Sequence, residues 1–213
     1  MPDDTDETVF LYGSLIHEYL ETNVKPDITE LLKLENGLEL SSYIDEHYEL
    51  MKGYAKRIGY TDHDDEEMPF LLKPQFPSGK KPKHDFWIYG IADRIVNSSP
   101  LRIVDYKSRA TAVSKRELIE SVQFTYYIWA WWVMTGEIRD LFVLTLRRGD
   151  IRKDRPAEIR LRKTTRTLED LEDLMEEAQK LWEKSAINKN MDKAETEKPC
   201  FMCPFRAVCK DFD

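Results

Sequence analysis

The chain has 213 residues, of which 41% are hydrophobic and 34% charged, and 24 are aromatic (5 Trp, 10 Tyr and 9 Phe). This length supports a domain with a hydrophobic core, and the aromatic content excludes a disordered chain. Only 8 Gly and 10 Pro exclude collagen-like and low-complexity classes. Apolar runs fall short of the ~20 residues of a membrane-spanning helix, and the acidic N-terminus lacks a signal-peptide pattern. We expect a soluble, cytoplasmic protein.

The net charge of −8 is distributed unevenly along the chain. Residues 1–67 contain 18 acidic and 5 basic side chains, whereas residues 68–213 contain 22 acidic and 27 basic ones. Nine of the basic residues lie within 147–166. Because the local field governs the binding of polyanions, the net negative charge does not exclude a nucleic-acid partner. The acidic N-terminal part is either a docking surface for proteins, a DNA mimic or a solvated surface.

Apolar periodicity predicts two N-terminal helices and then a polar acidic loop, at residues 9–25, 38–60 and 61–67. Three strands are predicted next, the last two as a hairpin, at residues 68–76, 86–96 and 101–108. A long helix over 114–135 begins with a capping box of Ser114 and Glu117.

Two further strands are predicted at 138–147 and 156–162, and a last helix at 168–184 begins with Thr167 and Asp170. This order indicates a mixed α/β domain around a small sheet. We expect three parts within one compact domain: an acidic helical part at 1–67, a core at 68–184 and a cysteine-containing tail at 185–213.

Two aspartates and a lysine lie on the predicted hairpin. Asp105 and Lys107 are two residues apart on a strand and therefore share a face. If the hairpin is antiparallel, Asp93 lies near Asp105. Carboxylate oxygens suit Mg²⁺ or Mn²⁺, and a lysine beside such a cation can orient a water and stabilise transition-state charge. Taken alone, the pair is more commonly a surface salt bridge.

Polar residues on two predicted helices are further candidates. Gln123 and Tyr127 are four residues apart and share one helix face. His17 lies on the first helix, where a neutral imidazole can complete a metal site. Each residue has a structural alternative: Tyr127 as a core residue, Gln123 as a solvated residue and His17 as a structural histidine.

In order and spacing, these residues resemble the RecB-like branch of the PD-(D/E)XK nuclease superfamily, especially the CRISPR-associated RecB-type exonucleases and their phage and viral relatives. The matching motifs are Gly13 to His17, Gly90 to Asp93, Asp105 to Lys107, and Gln123 to Tyr127. The resemblance implies a restriction-endonuclease-like core, with a small mixed sheet between helices.

The resemblance also implies the roles of the site residues. Lys107 is implied as the catalytic lysine, with Gln123 and Tyr127 as active-site residues that position DNA. The implied ligands of Mg²⁺ or Mn²⁺ are His17, Asp93, Asp105 and the main-chain carbonyl of Tyr106.

The three cysteines lie close together near the end of the sequence, at Cys200, Cys203 and Cys209. An odd number in one cluster argues against disulfides and for a metal. In the resembled family this triplet holds an iron–sulfur (4Fe-4S) cluster with a fourth cysteine upstream of the histidine motif, where this sequence has none. An iron–sulfur cluster with an unidentified fourth ligand, a zinc site and the absence of a metal stay open.

Together these features predict an Mg²⁺- or Mn²⁺-dependent DNA exonuclease that hydrolyses single-stranded DNA from an end, in repair, recombination, viral replication or CRISPR adaptation, and an additional endonuclease activity stays open. The basic segment 147–166 is expected to follow the DNA backbone, with these arginines in contact: Arg147, Arg148, Arg152 and Arg155. The alternatives are a nuclease fold that only binds DNA or protein, and an end-trimming subunit of a larger complex.

Overall fold

The computed structural model describes residues 7–22, 24–57, 65–96, 102–109, 113–147 and 157–184. The helices in these ranges are α1 (Glu7–Thr22), α2 (Thr29–Leu32), α3 (Gly37–Ser41), α4 (Ile44–Arg57), α5 (Lys115–Glu120), α6 (Val122–Thr135) and α7 (Leu168–Trp182). The strands are β1 (Asp65–Leu72), β2 (Ile88–Val96), β3 (Arg102–Arg109), β4 (Leu141–Arg147) and β5 (Glu158–Thr164). Within this part of the chain, the helices are too short or too polar to cross a membrane.

The five strands form one sheet in the order β1-β2-β3-β4-β5. Neighbouring strands are antiparallel except β3 and β4, which are parallel. Parallel neighbours require a crossover connection, and α5 and α6 provide it. Strand β3, which carries Asp105 and Lys107, is therefore the central strand, with a helical crossover directly after it. The predicted mixed α/β architecture is confirmed.

The N-terminal helices pack on the side of the sheet to which the even-numbered residues of β3 and β4 point. The apolar residues of α1 recur every three or four positions, which gives the helix one buried side. That side and residues of α2 to α4 form a cluster with four strand residues, Val104, Tyr106, Leu144 and Leu146. Burial of this side therefore fixes α1, the helix that carries His17, against β3.

Helix α6 approaches β3 from the side of the odd-numbered residues. The Lys107 ammonium lies 5.9 Å from the centroid of the Phe124 ring of α6. The Trp129 indole nitrogen of the same helix donates a hydrogen bond to the carbonyl of Gln75 at 3.0 Å. Because α6 is apolar around most of its circumference, it is largely buried, and its first turn stands next to Lys107.

The structure divides each of the two long predicted helices. The one at 38–60 is two helices, α3 and α4, and the one at 114–135 is α5 and α6. At the second break, Ser121 has an extended backbone, and its hydroxyl accepts a hydrogen bond from the amide of Phe124. Ser121 thus acts as an N-cap inside an apolar segment. The single-helix predictions were wrong because apolar periodicity continues across both breaks.

The first strand lies earlier in the chain than predicted. Residues 65–67, assigned to the acidic loop, belong to β1, and the strand ends at Leu72. Asp65 and Glu66 pair with Ile95 and Arg94 of β2. β1 is the edge strand of the sheet and pairs only with β2 among the described strands. That part of the loop prediction was wrong.

The predicted helix starts at Ser114 and Thr167 are confirmed. The hydroxyl of Ser114 accepts from the amide of Glu117 at 3.0 Å. The amide of Thr167 donates to Asp170 at 2.7 Å, and the Thr167 hydroxyl accepts from the amide of Asp170 at 3.2 Å. These bonds satisfy amides that the first helical turn leaves without a main-chain acceptor.

The chain divides into two compact units, Met1–Met175 and Glu176–Asp213. The first unit contains the sheet and helices α1 to α6. The second begins within α7, and its described part is residues 176–184. The three-part division at residues 67 and 184 stays a prediction.

The glycine of the second motif has a packing role. Gly90 pairs with Phe70 across β1 and β2. A Cβ atom on Gly90 would lie 2.3 Å from Cζ of the Phe70 ring, whose side chain is buried. Only glycine lets this ring lie directly on β2, three residues before Asp93.

We expect Gly90→Ala to lower the free energy of unfolding by about 1–3 kcal/mol, because the Phe70 ring must move out of its packed position. The matched control is Gly53→Ala in α4, where an added Cβ meets nothing within 4 Å and should stabilise the helix by about 0.5–1 kcal/mol. Thermal denaturation measures both changes. Equal melting temperatures for the two variants would contradict this account of Gly90.

Candidate active site

The site lies where β2 and β3 separate. Their ladder runs from the pair Val96–Arg102 to the pair Arg94–Val104. One residue further, the Asp93 carboxylate accepts a hydrogen bond from the amide of Tyr106 at 2.8 Å. A side chain therefore replaces the main-chain acceptor at this point and holds Asp93 beside the Asp105–Lys107 motif.

The second aspartate is buried and paired. The side chain of Asp105 is 0% exposed, and the Lys107 ammonium donates to its Oδ1 at 3.1 Å. The side chain of Lys107 is 20% exposed. Because an isolated buried carboxylate is very costly, the lysine is a necessary partner. The pair is a salt bridge, but its carboxylate does not lie on the surface.

Lys107 also links Asp105 to helix α6. Its ammonium donates to the Gln123 amide oxygen at 3.0 Å. The Gln123 amide nitrogen donates in turn to the Tyr127 hydroxyl at 2.8 Å. The four-residue spacing on α6 thus extends the chain of hydrogen bonds from Asp105 to Tyr127. Tyr127 is buried and Gln123 is exposed, as their structural alternatives anticipated, yet both belong to this network.

The Tyr127 hydroxyl is held neutral in this position. Burial raises its pKa well above the ordinary value, and the negative charges of Asp93 and Asp105 raise it further. The hydrogen bond from Gln123 acts in the opposite direction and is a smaller effect. The phenol therefore stays protonated at neutral pH and serves as a hydrogen-bonding group rather than a base.

His17 reaches the same strand from α1. Its Nε2 donates to the main-chain carbonyl of Tyr106 at 3.2 Å. The two rings also meet edge to face, with centroids 6.0 Å apart. The histidine motif and the central strand, 89 residues apart in the chain, therefore meet at Tyr106.

The donor set fits a hard divalent cation in its chemistry: two carboxylates, a main-chain carbonyl and an imidazole. His17 Nε2 donates to the Tyr106 carbonyl at 3.2 Å, so it would have to give up that proton to act as a ligand of a bound cation. Across the described ranges, no three His, Cys, Asp or Glu side chains are grouped as a metal site. The side chains of His17, Asp93 and Asp105 are therefore not brought together as such a group, and their role as ligands stays a prediction.

A family model described as the PD-(D/E)XK nuclease superfamily matches residues 2–210. The chain belongs to this superfamily. Membership implies a nuclease, a hydrolase that acts on nucleic acid. No curated protein matches the sequence significantly. A solved structure titled "Crystal structure of SSO0001" is similar, with 16% identity, 98% of each chain covered and a TM-score of 0.43.

Of the four arginines predicted to contact DNA in this PD-(D/E)XK chain, Arg147 lies in the described part. It is 21% exposed at the end of β4 and forms an ion pair with Glu158 at 3.0 Å. Arg160 shares that carboxylate at 2.6 Å and lowers the pKa of Glu158. The other predicted contacts and the cysteine triplet fall outside the described residues: Arg148, Arg152, Arg155, Cys200, Cys203 and Cys209.

Arg166, at the end of the same basic segment, is a buried positioning residue that sequence reasoning missed. Burial lowers the pKa of its guanidinium. It donates to the carbonyls of Leu118 and Ser121 at 3.0 and 3.3 Å, and to the hydroxyl of Thr125 at 2.7 Å. The guanidinium thus joins the end of α5 to the start of α6, two residues before Gln123. The sequence carries no sign that one basic residue among nine is buried.

We expect Arg166→Ala to lower the free energy of unfolding of this nuclease by about 2–4 kcal/mol, because buried carbonyls lose their donors. Arg166→Lys should be intermediate, since an ammonium cannot span the same acceptors. Arg116→Ala is the control, because Arg116 is 83% exposed in its pair with Glu120 and such pairs contribute about 0.2–0.5 kcal/mol. Denaturant unfolding measures the series, and equal losses for Arg166→Ala and Arg116→Ala would refute the role.

Proposed function

We propose that the protein is a metal-dependent deoxyribonuclease that hydrolyses phosphodiester bonds, acting as an exonuclease on single-stranded DNA. The observation that carries the proposal is the continuous network from Asp105 through Lys107 and Gln123 to Tyr127, with Asp93 anchored at Tyr106. The motif order, which resembles that of RecB-type exonucleases, supports hydrolysis from an end of the DNA. Repair, recombination, viral replication and CRISPR adaptation are the processes that this resemblance suggests.

The oxygen and nitrogen donors around Tyr106 are the proposed cation ligands. The two carboxylates bring the negative charge that Mg²⁺ or Mn²⁺ requires, and the Tyr106 carbonyl and His17 complete the set. A bound cation would supply Lewis acidity at the scissile phosphate. Asp93 stays in place without the cation, because its hydrogen bond to the Tyr106 amide fixes it.

Lys107 is the proposed catalytic residue. Asp105 and Gln123 both accept hydrogen bonds from its ammonium, so the positive charge is held at one place. In that position the charge stabilises the additional negative charge of the phosphoryl transition state. Tyr127 orients the Gln123 amide, because its neutral hydroxyl accepts from the nitrogen and leaves the oxygen for Lys107.

We expect Lys107→Met to lower turnover of end-labelled single-stranded DNA by at least ~10²–10³-fold, because the fixed positive charge is lost. The matched control is Lys25→Met, which removes an exposed lysine paired with Asp45 at 2.5 Å and should keep full turnover. Circular single-stranded DNA should resist cleavage by the wild-type protein. Normal turnover in Lys107→Met would refute the catalytic assignment, and cleavage of the circle would refute the exonuclease assignment.

A measurement of metal binding distinguishes the role of the proposed ligands from the role of Lys107. We expect Mn²⁺ to raise the melting temperature of the wild type, because a ligand that binds only the folded state stabilises it. Asp93→Asn and Asp105→Asn should abolish this shift, His17→Ala should reduce it, and Lys107→Met should keep it. Asparagine at 93 retains an acceptor for the Tyr106 amide, so the fold is preserved. A full Mn²⁺ shift in Asp105→Asn would show that the cation binds elsewhere.

For the cysteine triplet, we propose an iron–sulfur cluster with a fourth ligand other than the three cysteines. Protein purified without oxygen should then be brown and contain iron, and Cys203→Ser should bleach it and lower its melting temperature, because metal–thiolate bonds contribute to folding. Elemental analysis distinguishes the alternatives. Zinc without iron would assign a zinc site, and the absence of both metals would reject a metal-binding tail.

A further inference from the structure

Two aromatic side chains are exposed to solvent at the end of β2 that is farther from its pairing with β3. Trp87 is 58% exposed and Tyr89 66% exposed, at the start of β2. Leu71, which pairs with Tyr89 in β1, is 58% exposed. We refer to three residues of the β1–β2 hairpin, Leu71, Trp87 and Tyr89, as the hairpin strip. Large apolar side chains that are exposed together usually mark a binding surface.

The hairpin strip is aligned with the first catalytic aspartate. The register between β1 and β2 is regular from Ile88 to Ile95, so alternate residues of β2 point to the same side. Tyr89 and Asp93 therefore share one side of the strand, about 13 Å apart at ~3.3 Å per residue. This spacing equals about four nucleotides at the ~3.4 Å repeat of a stacked strand.

The connection from β1 to β2 is strongly basic. Residues 73–87 contain four lysines and one acidic residue, Asp85. The Lys73 ammonium pairs with Asp85 at 2.8 Å and lies 5.2 Å from the centroid of the Trp87 ring. The other lysines, Lys80, Lys81 and Lys83, lie in exposed positions of the same segment. A net positive charge thus accompanies the exposed aromatic rings.

Exposed aromatic rings beside lysines are the chemistry by which proteins hold single-stranded nucleic acid, since bases stack on the rings and cations contact phosphates. We infer that the hairpin strip and the lysines of 73–87 bind the single strand that leads into the active site at Asp93. This inference rests on the proposed nuclease function and adds the path of its substrate. Stacking requires unpaired bases, so the strip selects single-stranded over duplex DNA.

The basic segment 147–166 is a weaker candidate for this role in its described part. Arg147 and Arg160 are both paired with Glu158, and Lys163 with Asp140. Carboxylates therefore compete with phosphates for these cations. Lys73 of the β1–β2 connection is paired with Asp85 in the same way, but it also lies 5.2 Å from the centroid of the exposed Trp87 ring, whereas the segment 147–166 contains no aromatic residue.

The test compares three double variants in the Lys107→Met background, where DNA should be cut at least ~10²–10³-fold more slowly. Binding of a fluorescent 12-nucleotide single strand is measured by anisotropy with Ca²⁺ present. Trp87→Ala/Tyr89→Ala should raise the Kd about tenfold or more, because stacking on both rings is lost. Trp87→Phe/Tyr89→Phe should stay within about twofold of the parent, since phenylalanine still stacks. Leu38→Ala/Ile119→Ala removes two other exposed apolar side chains and is the control.

A second measurement keeps this inference separate from the proposed function. In the catalytically intact chain, Trp87→Ala/Tyr89→Ala should hydrolyse bis(p-nitrophenyl) phosphate at the wild-type rate, because that diester has no bases to stack. If the wild-type protein does not hydrolyse this diester, the nuclease function is refuted, whereas the result of the binding measurement still stands. A Kd for single-stranded DNA equal to that of the Leu38→Ala/Ile119→Ala control would overturn the inference and assign the strip to a protein partner.

Discussion

The hydrogen bond from the Tyr106 amide to the Asp93 carboxylate is the contact on which the site depends. It lies where β2 leaves β3, and it substitutes a charged side chain for the next main-chain acceptor. Because the acceptor is part of the sheet's own hydrogen-bonding pattern, Asp93 is placed with the accuracy of a strand rather than of a loop. The carbonyl of the same residue, Tyr106, meets His17 from α1. Tyr106 of β3 therefore contacts both Asp93 of β2 and His17 of α1.

Burial of Asp105 explains why Lys107 must accompany it. A fully buried carboxylate needs a compensating charge and hydrogen bonds, and the lysine two residues on contributes both a charge and a hydrogen bond. The lysine then requires a second acceptor, which Gln123 supplies, and Tyr127 fixes the orientation of that amide. The four side chains are thus ordered by one electrostatic requirement, and the order is present before substrate arrives. Preorganised charge of this kind is what phosphoryl-transfer catalysis needs.

Helix α6 can supply Gln123 only because the chain breaks at Ser121 and begins a new helix. A continuous helix from 114 to 135 would give α6 the direction of α5. The break is stabilised by the Ser121 cap and by the buried guanidinium of Arg166, which arrives from the end of β5. A residue 43 positions after Gln123 therefore contributes to its placement. Toward the opposite end of β2, Tyr89 points to the same side of the strand as Asp93, and its ring and that of Trp87 are exposed to solvent.

The sequence by itself determined the local features: the alternation that puts Asp105 and Lys107 on one side of a strand, the four-residue spacing of Gln123 and Tyr127, and the caps at Ser114 and Thr167. These depend only on the geometry of a single element. Tertiary structure alone decided the departure of β2 from β3, the breaks inside the two long predicted helices, and which basic residue is buried. Those outcomes depend on contacts between residues far apart in the chain. Gly90 shows the difference. Its position in the motif was visible in the sequence, but the requirement for glycine there comes from the Phe70 ring, which only the structure places beside it.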